Sequence, residues 1–190
     1  MIKKRIVVIM LVLSVMFAVT ALVGCDKKEI AEEEAALGIE SLFDIDKNDA
    51  IIKLVDLVSE KCQNGENLDA LSGAEKSFYF NQCVEIEVNN GGFDQFFFNT
   101  SGNYAHETVQ GLKDIGAEHT ANIVQEAINI FPDATVPKDR VARWDVMEKI
   151  SEQNEYAWSK LDTQFYEYVD DLNSLNLEFV RKNIGDFQLD

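Results

Sequence analysis

Ser72-Gly73-Ala74-Glu75-Lys76-Ser77-Phe78-Tyr79-Phe80-Asn81-Gln82-Cys83-Val84-Glu85-Ile86-Glu87-Val88-Asn89-Asn90-Gly91-Gly92 is the stretch that decides the fold class. Ser72 followed three residues later by Glu75 is a capping box, which satisfies two of the backbone N–H groups left free at a helix start. Phe80, Val84 and Val88 then recur at helical spacing, with Tyr79, Cys83 and Ile86 on the adjacent row. A helix apolar over so wide a face belongs at the centre of a bundle. Asn89-Asn90-Gly91-Gly92 is read as its end, because glycine permits the left-handed turn that stops a helix.

Helical periodicity continues on both sides. Upstream, Ile51, Leu54, Val55 and Val58 form a stripe that begins at Asn48 or Asp49 and runs out at Cys62-Gln63-Asn64-Gly65. Downstream, helices are expected over about 104–115 and 117–131, the second stopped by Pro132. Pro137 suits the first position of a further helix reaching Ile150. A longer helix is expected from Glu152 to Leu172, and a short one from Asn176. No stretch alternates apolar and polar residues with β-branched enrichment. The expectation is all-α: a compact single-domain bundle of about six or seven helices over residues 48–190.

The N-terminus carries an address. Lys3-Lys4-Arg5 precedes an apolar run from Ile6 to Val23 that closes on Leu22-Val23-Gly24-Cys25. A basic tip, an apolar core and a small-residue cleavage site are the parts of a secretory signal peptide. The ending resembles the lipobox of bacterial lipoproteins, which implies lipid attachment at Cys25 after removal of residues 1–24, and a cell-membrane location on the extracytoplasmic side. The competing reading, an uncleaved span, has a run at the lower limit of length and lacks a flanking aromatic or basic belt. Residues 25–47, charged and then alanine-rich, read as a flexible acidic tether.

The whole chain has 34 acidic against 17 basic residues, a formal net charge of −17. The removed segment holds three of the basic residues and none of the acidic ones, so the mature chain would carry −20. Such a surface repels phosphate, which argues against direct nucleic acid binding and favours a basic protein partner.

Chemical motifs are few. Asp44-Ile45-Asp46-Lys47-Asn48 imitates the opening of a calcium loop but has Asp49 and Val55 where glycine and glutamate are required. His106 and His119 match no zinc spacing, so no metal and no cofactor is expected. No nucleophile stands in a recognisable catalytic context. Cys62 and Cys83 are candidates for a disulfide. However, a position about ten residues into the next helix puts Cys83 roughly 15 Å along its axis, too far for a simple hairpin to bridge.

The unbroken segment from Glu85 through Asn89, Asn90, Gly91, Gly92, Phe93, Gln95, Phe96 and Asn99 to Gly102 is dense in amides, glycines and phenylalanines. Two readings stand side by side. In one, it is a buried folding corner whose amides bond the free backbone ends. In the other, Asn and Gln on a rigid turn face a polar partner. The same run resembles the signature of the C-terminal domain of the acidic DNA-mimic proteins. The likeness extends through Gly111-Leu112, Ile115-Gly116-Ala117, Ala127 to Phe131-Pro132, Arg140 and Leu161-Asp162-Thr163-Gln164-Phe165-Tyr166, covering roughly 48–185.

The resemblance implies an all-α fold and a protein that occupies the DNA-binding face of another. The functional expectation is a lipid-anchored, non-catalytic acidic interaction module, with an immunity-like role against a basic protein as one form. DNA mimicry is the first alternative, and a hydrolase with carboxylates near the Asn-Gly corner is the second.

Overall fold

Asp46 starts the first helix: its carboxylate accepts from the Asn48 N–H at 2.9 Å, and α1 runs over Lys47–Lys61. The computed structural model describes residues 38–189, so the expected signal peptide, Cys25 and the first part of the tether lie outside the described residues. The rest of the expected tether is not loose. Ile39 and Leu42 are buried against α1, and the domain therefore begins upstream of residue 48. Two apolar residues among charged ones were too short a stripe to read as docking.

The Ser72 capping box forms as expected and opens α2, Gly73–Phe98. Glu75 does more than cap. Its carboxylate is fully buried, accepts from Lys61 Nζ at 2.8 and 3.0 Å and also takes the Gln188 N–H at 3.1 Å. The C-terminal tail is thereby clipped to the start of the central helix.

Against α2 pack α3 (Ala105–Asp114), α5 (Arg140–Gln153), α6 (Ser159–Phe165) and α7 (Leu172–Lys182), while α4 (Glu118–Ile128) packs on α3 and α6. The described residues contain no strand. None of their helices is long and apolar enough to cross a membrane.

Several boundaries differ from expectation. Asp46, rather than Asn48 or Asp49, caps α1. Asp139, not Pro137, starts α5, because its carboxylate caps the Ala142 N–H at 2.8 Å. The long helix expected over 152–172 is broken twice. Asn154 turns extended at φ −154°, and Tyr168 is left-handed at φ +47°, leaving only α6 between them. The last helix starts at Leu172 rather than Asn176, capped by Asp171.

Two apolar clusters fill the interior. One joins Ile39, Leu54, Val58, Phe78, Val180 and Phe187 between the N-terminal stretch, α1 and α7. The other gathers Phe93, Phe96, Phe97, Phe131, Trp158 and Phe165 beneath the second half of α2. Several of their rings meet edge-on or tilted, as in Phe97 against Phe131 at 4.8 Å and against Trp158 at 5.4 Å, while Phe93 stacks on Phe97 at 6.1 Å.

Candidate functional site

The Asn-Asn-Gly-Gly run does not end the helix; it kinks it. Gly91 has φ −162° and ψ 24°, Gly92 has φ +72° and ψ −173°, and helical backbone resumes at once. The kink leaves two sets of orphan backbone groups, and other elements satisfy them. The Asp162 carboxylate from α6 accepts from the Phe93 N–H at 2.8 Å, acting as the cap of the second half-helix. The Tyr166 hydroxyl donates to the Val88 carbonyl at 2.8 Å, closing the first half. Burial pushes the Asp162 carboxyl upward against the pull of the Phe93 N–H, and the nearby Asp162 charge adds to burial in raising Asp94.

The far end of α2 is held by a buried guanidinium. Arg143 is wholly inaccessible, and it donates to the carbonyls of Phe97 (2.6 Å), Asn99 (2.8 Å), Pro137 (2.6 Å) and Lys138 (3.3 Å). Outside it, Arg140 Nε and Trp144 Nε1 both reach the Phe98 carbonyl, at 3.0 and 2.8 Å. Phe98 is itself about half exposed and stacks on Trp144 at 4.7 Å, so only three of the four phenylalanines enter the core.

The amides take a different part from the one expected of them. Gln95 and Asn99 do not bond backbone ends. Their side-chain nitrogens donate to Glu87 at 2.7 and 2.8 Å, and the Ser101 hydroxyl adds a third bond at 3.1 Å. Asn89 donates to the Tyr168 hydroxyl, which in turn donates to Glu85. Asn90 is exposed. Gly102 is buried because a Cβ there would lie 2.9 Å from the Phe97 backbone and from Arg143 Nε. The motif residues, with Asn89 and Asn90 on the surface, are thus tied together by Glu87, Asp162 and Arg143. Sequence reading assigned no role to these three, because a hub is defined by what converges on it and single charges in an acidic chain carry little signal.

Beside the corner lies a cleft of about 350 Å³ between the loop after α1, the first half of α2 and the turn at 100–104. Tyr79, Cys83, Ser101 and Asn103 line it. Cys62 and Cys83 stand as free thiols, and Cys62 Sγ donates to the Ser59 carbonyl at 3.6 Å. Burial dominates here, pushing the Cys83 thiol up to about 12 and Tyr79 upward as well. A neutral thiol is a poor nucleophile.

Iodoacetamide at pH 8 should therefore modify Cys83 roughly a thousandfold more slowly than an unperturbed thiol, as read by mass spectrometry on the detergent-solubilised chain. Full labelling without denaturant would contradict the burial. The same shift sets a pH dependence. An unfolded thiol ionises near pH 8.5 while the folded one keeps its proton to about 12. Stability is then complete below about pH 8.5 and falls as pH rises through that window.

Among the described residues, no group of three or more Asp, Glu, His or Cys side chains is placed to hold a metal ion. Asp46, from the calcium-like run, serves as a helix cap instead.

Residues 69–183 match the family model described as DMP19-like protein, a narrower stretch than the 48–185 of the motif resemblance and one that leaves α1 outside. No curated protein and no solved structure matches the chain.

Proposed function

The chain belongs to the DMP19-like protein family, and on that premise we propose that it is a non-catalytic module whose carboxylate surface binds the basic face of a partner protein. The observation that carries this reading is a net charge of −17 on a chain that contains a domain of that family. Dense surface carboxylates present a basic protein with the kind of field that phosphates do, and such fields steer association over distances of a Debye length. The buried, protonated thiol in the cleft fits a binding role better than nucleophilic chemistry.

Lipid attachment at Cys25 is part of the proposal, and it would hold the module on the extracytoplasmic face of the membrane. There the partner would be a basic envelope or secreted protein, with toxin neutralisation as one form. Occupation of a DNA-binding face is the second reading, favoured by the family match, and it requires a cytoplasmic pool of the protein.

Affinity capture separates them. Native protein and Cys25→Ala are each used as bait against envelope and cytosolic fractions, and bound proteins are eluted with a salt gradient. A basic partner that enters with native bait in the envelope and leaves as salt approaches about 0.5 M supports the proposal. Displacement of that partner by duplex DNA assigns the mimic reading. Binding indifferent to salt would overturn the electrostatic basis of both.

A further inference from the structure

The loop between α6 and α7 leaves apolar surface uncovered beside the kink. Tyr166 is 48% exposed, Tyr168 42% and Val169 60%, although Phe165 just before them is buried. Both rings are held in place without being covered. The Tyr166 hydroxyl donates to the Val88 carbonyl at 2.8 Å, and the Tyr168 hydroxyl donates to Glu85 at 3.0 Å while accepting from Asn89. The loop is thereby seated on the end of the first half of α2.

The surface around these rings is of one sign. Residues 85–95 and 161–171 together hold seven carboxylates and no lysine or arginine. Three of the seven are occupied: Glu87 by Gln95, Asn99 and Ser101, Asp170 by Thr120, and Asp171 by Lys47. Among the described residues, no cation pairs with Glu85, Asp94, Asp162 or Glu167. Burial pushes Glu85, Asp94 and Asp162 upward, so their charge is held at a cost that an incoming cation would offset.

We propose that this face, formed by Tyr166, Tyr168 and Val169 with Glu85, Asp94 and Glu167, is the centre of the partner interface and takes an arginine-bearing segment of a basic protein. The proposal rests on the partner-binding reading above and gives it a place on the molecule. Charge complementarity names the occupant, because a surface with carboxylates and no cation repels nucleic acid and anionic headgroups alike. The tyrosines select arginine over lysine. A guanidinium stacks on an aromatic ring and still presents a planar fork to a carboxylate, whereas an ammonium is a point charge. Rings already fixed by their hydroxyls lose little freedom when a partner covers them.

Two synthetic peptides of equal charge, octa-arginine and octa-lysine, serve as probes. Each is titrated calorimetrically into the full chain in detergent at about 0.15 M salt, where exposed charges further apart than about 8 Å are largely screened. Octa-arginine should bind at least about fivefold more tightly than octa-lysine. Glu167→Gln and Val169→Ser should each weaken octa-arginine by about fivefold or more, as truncation at the centre of an interface does. Neither side chain makes a hydrogen bond among the described residues, so both variants keep the fold.

Glu148→Gln and Val141→Ser, exposed positions on α5, are the matched controls and should change the affinity less than about twofold. Equal losses at the matched positions would mean that binding is spread over the whole acidic surface, and would overturn this location while leaving the partner-binding reading intact. Equal affinity for the two peptides would overturn the role of the tyrosines and with it the proposal. Binding of neither peptide would overturn the partner-binding reading itself and this inference with it.

Discussion

Gly92→Ala is expected to cost about 2–5 kcal/mol of folding stability, a large effect for a substitution this small. Two independent penalties meet at one atom. The backbone at φ +72° and ψ −173° lies in a region open essentially to glycine alone, and forcing a side chain there costs about 1–3 kcal/mol. The added Cβ would also stand 2.7–2.9 Å from all three atoms of the Asp162 carboxyl group. Asp162 cannot retreat without releasing the Phe93 N–H, which leaves the start of the second half-helix uncapped for roughly another 1–2 kcal/mol. Domains of this size hold about 5–15 kcal/mol in total. A loss of 4 kcal/mol corresponds to roughly 8–16 °C in melting temperature.

Gly91→Ala is the control. At φ −162° its backbone needs no left-handed conformation, and its Cβ would meet only Gln95, whose Oε1 can swing away and whose Cβ, 2.9 Å off, has to give. That variant should lose about 1–2 kcal/mol, from the Gln95–Glu87 bond and the local crowding together. Urea unfolding of both, followed by circular dichroism, makes the comparison. Equal stability of the two variants would show that the kink does not depend on Gly92.

The difference between those neighbouring glycines also marks how far the sequence could be read. Helix number, class and the central place of α2 followed from apolar spacing at Phe80, Val84 and Val88, because periodicity is a local property. The capping box at Ser72 and Glu75 was legible for the same reason. Gly91-Gly92 was misread as a stop, since the same residues end a helix or kink it depending on whether a distant carboxylate caps the restart. Asp162 lies 69 residues further along the chain. Ile86 was assigned to the buried side yet is about half exposed, because the apolar face of α2 narrows where the cleft opens. Residues 152–172 looked like one helix because Trp158, Leu161, Phe165 and Tyr168 keep helical spacing. In the fold only the first three are buried, and Tyr168 instead turns to meet Glu85 and Asn89. Arg140 stood within the family-like motif, whereas the guanidinium that enters the core is Arg143, one helical turn on. Nothing local distinguishes the two; what decides is which of them reaches the carbonyls at the end of α2.

Arg143→Met should cost about 3–5 kcal/mol, the scale seen when a buried charged group is removed and its partners are left behind. Methionine fills much of the same volume, so the loss would come from the carbonyls of Phe97, Asn99 and Pro137, each within 2.8 Å of the guanidinium. No carboxylate among the described residues bonds to Arg143, and burial lowers its pKa, so the charge is held at a desolvation cost. The compensation is geometric: one planar fork joins the end of α2 to the turn before α5. Arg143→Lys, which keeps the charge but not the fork, should fall between wild type and Arg143→Met. A lysine variant as stable as wild type would mean that charge alone suffices.

Gly102 tests the same lock from the other side, because its absent Cβ is what lets Arg143 Nε and the Phe97 backbone approach. Gly102→Ala should therefore destabilise strongly alone and by less once Arg143 has become methionine, because the Nε contact is gone while the Phe97 backbone contact remains. A double-mutant cycle in urea should read this as a coupling of about 1–3 kcal/mol, in the range found for residues in direct contact. Strict additivity, or a loss below about 1 kcal/mol in Arg143→Met, would show that the carbonyls are satisfied without the guanidinium and that the corner is held by apolar packing alone.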